Sequence, residues 1–211
     1  MPDHLLRLVV VAVAEELAEY RLPDDTVPLV VGVGPVTATL HLTAHLAAHH
    51  AAYRAVINLG VAGAIRSTLE VGQSILIVEE RYIDIGREDG SPLALPSGAS
   101  LVRDVAASAQ LLTSTAAITT PRGIGLTSAT VTTSEERTER LRRRYPDAAT
   151  ESMEGFAVFH VASLYRLPVI GVRGISNRVG ERSKANWDLA GGIAASHRLL
   201  TEVLAWTNHA R

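Results

Sequence analysis

The chain is predicted to fold as an α/β domain with a mixed to mostly parallel central sheet flanked by helices. Short apolar runs rich in β-formers alternate with helical patterns along its length. The run PVIGVRGI (168–175) is apolar apart from Arg173, the pattern of a strand covered on both faces. No Pro-, Gly- or Ser-rich linker divides residues 1–211 and no internal repeat is evident, so one domain with a sizeable core is expected.

LLRLVVVAV (5–13) reads as a buried strand and 15–21 as a short helix. VPLVVGVG (27–34) is a second strand, followed by a helix over 35–50 with Pro35 in its first turn. RAVINLG (54–60) is a third strand ending in a turn, Gly60-Val61-Ala62-Gly63. QSILIVEERYIDI (73–85) is a fourth, with a loop to about residue 98 and a short helix near 99–110. RGIGLTSATV (122–131) is another strand. SEERTERLRRRY (134–145) is a charged helix opened by Ser134 in the manner of a capping box, Arg137 aside, with Glu135 and Glu136 favouring the helix dipole. ATES (149–152) is a brief strand. A helix from Met153 is apolar nearly all round, the mark of a buried helix, and a helix over 187–208 closes the chain.

Composition excludes several classes. A net charge of −2 carries no nucleic-acid footprint, and zero cysteines rule out disulfides and thiol chemistry. The apolar run 8–14 is short, follows Asp3 and leads into Glu15-Glu16, so it does not resemble a signal peptide. No run approaches a membrane span, and a cytoplasmic protein is the default expectation.

In open α/β sheets ligands bind beyond the carboxyl ends of strands. Four features fall there: Glu15-Glu16, 60–63, 128–133 and Ser176-Asn177; Glu154, at a helix start, can face the same crevice. Each has a plainer reading. Glu16 suits an ordinary first helical turn. Glu154 has apolar neighbours, Met153 and Phe156, and an ion pair with Arg173 is its structural alternative. Ser176-Asn177 suits a turn or cap. GVGPVTA (32–38) lacks the third glycine of a dinucleotide turn, and Pro35 removes a donor. His41, His45 and His49 share a helical face, but no carboxylate or cysteine accompanies them, so a polar or subunit-facing stripe is preferred to a metal site. The basic run 137–144 is interleaved with acids and reads as a solvated face.

VVVAVAEEL, INLGVAGAI, SMEGFAVFHVA and VIGVRGISNRVG together resemble the nucleoside phosphorylase/nucleosidase superfamily over most of the chain. Within its nucleosidase branch the chain is more similar to futalosine hydrolases than to methylthioadenosine/S-adenosylhomocysteine nucleosidases. The resemblance implies hydrolysis of an N-glycosidic bond, releasing hypoxanthine and dehypoxanthine futalosine, in menaquinone biosynthesis, with no metal or organic cofactor. It implies that Glu16 activates water, that backbone at Val61, Ala62 and Gly63 lines the site near the ribose, and that Val131 and Thr132 contact the base. Met153 would pack on the sugar and Glu154 accept its hydroxyls, while Ser176-Asn177 would meet the purine. Family members are commonly dimers or larger, so a homo-oligomer is expected.

The chain departs from the adenine-cleaving members at Asn177, where they carry aspartate. Asparagine is no general acid, but it can donate to N7 or a six-position oxygen, which suits hypoxanthine. Ala14-Glu15-Glu16 and Val61 stand where phosphorylases of the superfamily bind phosphate, so an acid there favours hydrolysis. Futalosine also bears an aryl carboxylate; Arg178, Arg182 and Arg81 are candidates to meet it, with Trp187 and Tyr82 as walls. The competing readings are a methylthioadenosine/S-adenosylhomocysteine nucleosidase with an unusual Asn177, and a catalytically silent nucleoside-binding protein.

Overall fold

The structure, a computed structural model, describes residues 5–206 apart from 88–90, 92, 94 and 97. Asp3, residues 207–208 of the expected last helix and part of the loop to residue 98 lie outside the described residues.

Among the described residues eight strands form one mixed sheet: β1 (Leu6–Val11), β2 (Thr26–Val30), β3 (Tyr53–Ala64), β4 (Ser74–Tyr82), β5 (Asp104–Ala106), β6 (Arg122–Thr127), β7 (Ala148–Ser152) and β8 (Val169–Arg178). β1 lies between β2 and β3 in parallel. The pairings β3–β8, β8–β4, β4–β6, β6–β7 and β7–β3 close a five-stranded ring, with β1 and β2 continuing outward from β3. β8 is the strand expected from its apolar run. It is paired on both sides and buried from Val169 to Asn177.

Among the same residues five α-helices flank the sheet: α1 (Pro35–His49), α2 (Ala109–Ser114), α3 (Glu135–Arg144), α4 (Gly155–Leu164) and α5 (Leu189–Trp206). α1 packs on α4, and α5 lies across β8 and β3. α4 buries residues round its whole circumference, including Phe156, Val158, Phe159 and Val161, which accounts for its lack of a polar stripe.

Several boundaries differ from expectation. Residues 60–63 are not a turn: β3 runs straight through them, paired with β8 and at its end with β7. The segment near 99–110 is not one helix but β5, paired antiparallel with β4, followed by α2. The strand expected to reach 131 stops at Thr127. Beyond it Ser128 Oγ donates to Thr130 O at 2.8 Å, and Asp84 accepts from Ser128 Oγ and the Ala129 N–H, so side chains take over from the ladder. Residues 15–21 hold only a 3-10 turn, Ala14–Leu17. α4 starts at Gly155 with Glu154 as its N-cap, and β8 extends through Ser176-Asn177 to Arg178. Ser134 caps α3 by accepting the Arg137 N–H at 3.3 Å.

Candidate active site

β1 ends at Val11, and the 3-10 turn that follows folds Glu16 back toward it. Glu16 Oε2 accepts the Ala12 N–H at 2.8 Å and the Val13 N–H at 3.4 Å, and Oε1 accepts the Val61 N–H of β3 at 3.1 Å. His197 of α5 donates from Nε2 to the Glu16 carbonyl at 2.8 Å. Three backbone donors, two just past the end of β1 and one in β3, fix the orientation of a carboxylate that is only 7 % exposed.

Glu154 reaches across the crevice to α1, where Oε1 accepts the Gly34 N–H at 2.8 Å. Gly34 is the N-cap of α1 at φ 90°, a left-handed conformation that favours glycine. The carboxylate thereby meets a donor at the positive end of α1. Burial pushes the Glu154 pKa up; the Gly34 N–H and the Arg173 charge pull it down, and the Glu16 charge adds to the rise. Arg173 itself is held elsewhere, donating to the Asn58 carbonyl at 2.9 Å and to Asn58 Oδ1. With a further bond to the Val172 carbonyl at 3.3 Å, these hydrogen bonds go to Asn58 and its own strand, and it acts on Glu154 through charge.

Asn177 stands near the end of β8, 5 % exposed. Its Nδ2 donates to the Arg178 carbonyl at 2.9 Å, and its Oδ1 accepts from Ser176 Oγ at 2.8 Å. Carbonyl and hydroxyl partners fix which end of the amide faces which way. An amide nitrogen carries two N–H groups, and Asn177 also lines the cavity described next.

Glu16, Glu154 and Asn177 line one cavity of about 200 Å³. Val61, Ala62, Gly63, Val131, Met153, Ser176 and Trp187 line it as well. Thr132 is buried just behind the wall, bonded to Glu151. Arg178 turns away to the carbonyls of Arg66 and Ser67 and to Glu70 at 3.0 Å. Arg182 is exposed and does not line the cavity. Arg81 is committed to Asp147 at 2.8 Å and to Glu79 at 2.6 Å, and Tyr82 stacks on Phe156. These last four residues, sought for a substrate carboxylate, are not gathered at the cavity. A larger groove of about 330 Å³, lined by Asp84, Arg87, Arg137, Arg140 and Arg144 among others, holds none of the three polar residues Glu16, Glu154 and Asn177.

Two of the three histidines on this face of α1 are bonded to neighbouring elements, and His49, exposed, lies against the His45 ring. His41 Nδ1 lies 2.8 Å from the Val31 carbonyl, and His45 Nε2 lies 2.8 Å from the Tyr53 hydroxyl. Among the described residues no group of three or more His, Cys, Asp or Glu is placed to hold a metal ion.

Residues 12–205 match the family model of the phosphorylase superfamily. The chain belongs to the phosphorylase superfamily. It is 34 % identical over 202 residues to a futalosine hydrolase of Streptomyces coelicolor, a match covering 91 % of this chain and 86 % of that protein. A methylthioadenosine/S-adenosylhomocysteine nucleosidase of Colwellia psychrerythraea, solved with adenine, superposes with a TM-score of 0.81 at 21 % identity over 97 % of this chain and 96 % of that one. A futalosine hydrolase of Helicobacter pylori gives a TM-score of 0.80 at 18 % identity over 95 % and 97 %. The mixed α/β fold is thus that of the nucleosidases, and the relatives are N-glycosyl hydrolases.

Within this superfamily fold the cavity holds polar residues that sequence reasoning passed over. Glu151, 8 % exposed, lines the wall from β7 with Ser152 beside it, while Thr130 comes from the expected segment 128–133. The available signal was a lone carboxylate in a strand otherwise built of small residues, ATES. Outside the cavity lining, Glu80 is 1 % exposed and accepts from Thr127 Oγ1 at 2.9 Å. It sits inside EERY, where its neighbour Glu79 resembles it in every respect the sequence records.

Proposed function

We propose that this chain is a single-domain futalosine hydrolase that releases hypoxanthine and leaves dehypoxanthine futalosine, as one step of menaquinone biosynthesis in the cytoplasm. The observation that carries this reading is the fixed Asn177 amide in the wall of a cavity that also holds Glu16 and Glu154. The similarity to the Streptomyces futalosine hydrolase supports it.

In this reading water attacks C1′ of the sugar as the bond from C1′ to the purine nitrogen breaks, and the bonding pair leaves with the base. Glu16 orients the water and takes its proton, a contribution typically worth about 10²–10⁴-fold. Its backbone donors keep it an acceptor without exhausting its lone pairs. Glu154 accepts hydrogen bonds from the ribose hydroxyls and stabilises positive charge as the sugar becomes oxocarbenium-like. Asn177 donates to the purine as negative charge develops there, the preorganised electrostatic help that proton-free groups can give. The departing base is then protonated from solvent. Met153 packs on the sugar, with backbone of Val61, Ala62 and Gly63 beside it.

Hydrolysis is favoured over phosphorolysis by the same geometry. Converging backbone N–H groups are what an anion would bind. Here the Glu16 carboxylate already occupies those of Ala12, Val13 and Val61, and its charge repels a second anion.

The chain is proposed to work as a homo-oligomer, dimer or larger. Val33 lines the cavity at 53 % exposure, and Val36 and Leu40 of α1 are 80 % and 64 % exposed. An apolar face of that kind, next to the site, suits a subunit contact.

The deciding experiment incubates the protein in phosphate buffer with futalosine, inosine and methylthioadenosine and separates the products by chromatography. Hypoxanthine and an unphosphorylated sugar product from futalosine are expected. Adenine from methylthioadenosine alone would replace this reading with the adenine nucleosidase, and tight binding without base release would make the chain a nucleoside-binding protein.

A further inference from the structure

Glu151 is a buried carboxylate in the cavity wall to which the mechanism above assigns no task. In the sheet it is paired with Gly63 of β3, and Gly63 is paired on its other side with Asn177 of β8. Asn177, Gly63 and Glu151 therefore form one row across three adjacent strands, and all three line the cavity. Adjacent strands stand about 4.8 Å apart, so the two polar side chains rise from positions about 10 Å apart. Between them Gly63 contributes no side chain. A Cβ there would stand 2.9 Å from Val179 Cγ2 and 3.1 Å from Asn177 Nδ2, so the row requires this gap. The result is a slot with backbone as its floor, an amide on one side and a carboxylate on the other, suited to the edge of a flat heterocycle.

The hydrogen bonds of Glu151 define its polarity. The Thr132 N–H donates to Oε2 at 3.2 Å and the Thr132 hydroxyl donates to Oε1 at 2.5 Å. Both oxygens are thus held as acceptors, with lone pairs left over. Burial raises the Glu151 pKa, and the two Thr132 bonds and the Arg137 charge work against that rise, while Asp84 adds to it. A buried acceptor with spare lone pairs facing a ligand cavity is best satisfied by a ligand N–H.

We propose that Glu151 is a base-specificity residue, accepting the N1–H of a 6-oxopurine while Asn177 donates to the adjacent edge that carries N7 and the six-position oxygen. This deepens, and rests on, the purine-nucleosidase reading above. The two side chains would read neighbouring edges of one ring, an arrangement their common row and shared cavity allow. Adenine has no N1–H: its N1 lone pair would face the carboxylate, and its amino group would face the Asn177 donor. Both positions reject it, and mismatches of this kind at a buried site discriminate strongly.

The test compares kcat/KM for futalosine with that for its 6-amino counterpart, in the wild type and in Glu151→Gln. The two substrates differ only at the base edge. The wild type should prefer the oxo substrate by at least about a hundredfold, and Glu151→Gln should narrow that ratio by at least about tenfold, because the glutamine amide can donate to an adenine N1. A purely structural loss would lower both rates together, and a ratio unchanged by the substitution would overturn the assignment. A second measurement needs no variant: by calorimetry, wild type should bind hypoxanthine at least about tenfold more tightly than 1-methylhypoxanthine. Equal binding of the two bases would overturn the assignment. Base discrimination without any cleavage would instead remove the hydrolase reading and leave the role of Glu151 supported.

Discussion

Gly60 is the residue that lets Glu16 reach the edge of β3: a Cβ at position 60 would stand 2.5 Å from Glu16 Oε1. The carboxylate uses that opening to accept the Val61 N–H. Gly60→Ala must therefore displace the proposed water-activating group or shift the strand that carries it. Overpacking of this kind costs about 1–3 kcal/mol of stability. The expected result is a folded protein with a modestly lowered melting temperature and a base-release rate reduced toward that of Glu16→Gln. The latter should fall by about 10²–10⁴-fold with an unchanged circular dichroism spectrum. Near wild-type turnover in Glu16→Gln would remove the general-base role.

Glu154 faces the sugar in the proposed reaction while bound to the N-terminus of α1 through Gly34. Glu154→Gln keeps the size of the side chain but loses the charge that opposes an oxocarbenium ion. Its kcat should fall by at least about a hundredfold, the range seen when one preorganised electrostatic group is removed. Binding of the free base, which lacks the sugar, should be nearly unchanged in the same variant. Weakened binding of hypoxanthine would indicate that the site had been disrupted rather than discharged.

What the sequence discloses follows from how each element is buried. β8 and α4 were legible because burial on every side forces nearly unbroken apolar runs, and Glu154 and Asn177 stood out against those runs. β5 was not legible, since three residues on a partly exposed strand leave no periodicity to read. Residues 60–63 looked like a turn because glycine usually marks one. Here Gly60 and Gly63 clear space for Glu16 and Asn177, a reason that exists only in three dimensions. Glu151 escaped notice because one acid in a short strand is ordinary until its partners are known, and Glu80 because nothing in EERY separates it from Glu79. Arg178 and Arg81 were attractive for their charge, and only the fold reveals that Glu70 and Asp147 already hold them.

Asn177 donates to Arg178 O and accepts from Ser176 Oγ, so its amide is held in one orientation, the one in which it would meet the purine in the proposed reaction. Asn177→Asp keeps the shape and the Ser176 bond but replaces the donor with a group able to carry a proton to N7. Turnover of futalosine should fall, because the donor to the six-position oxygen is lost. Adenine release from methylthioadenosine should rise relative to it by at least about tenfold. Chromatography of both reactions under identical conditions measures the change, and an unaltered ratio would exclude Asn177 as a determinant of base choice.

Glu80 lies in a cradle that two glycines leave open; a Cβ on Gly125 or Gly155 would come within 2.6 Å of its Oε1. Thr127 Oγ1 donates to Glu80 and accepts the Phe156 N–H at 2.7 Å, which ties the carboxyl to the first turn of α4. Burial raises its pKa from 4.5 to about 7, against the opposing pull of Arg173 and Thr127, with Glu154 adding to the rise. Because the folded-state value is the higher one, the native protein holds this proton more tightly than the unfolded chain does. Stability from this group is fully present below pH 4.5 and is lost progressively as pH rises to about 7. The whole difference corresponds to about 3 kcal/mol. Glu80→Gln stays neutral and can keep the Thr127 bond, so it should lack this component. Denaturant unfolding at about pH 5 and about pH 8 should find wild type losing more stability than the variant over that interval. The raised groups Glu151 and Glu154 contribute in the same direction in both proteins, so the comparison isolates Glu80 together with its coupling to Glu154. Parallel pH dependences would mean that Glu80 is ionised in the native state throughout this range.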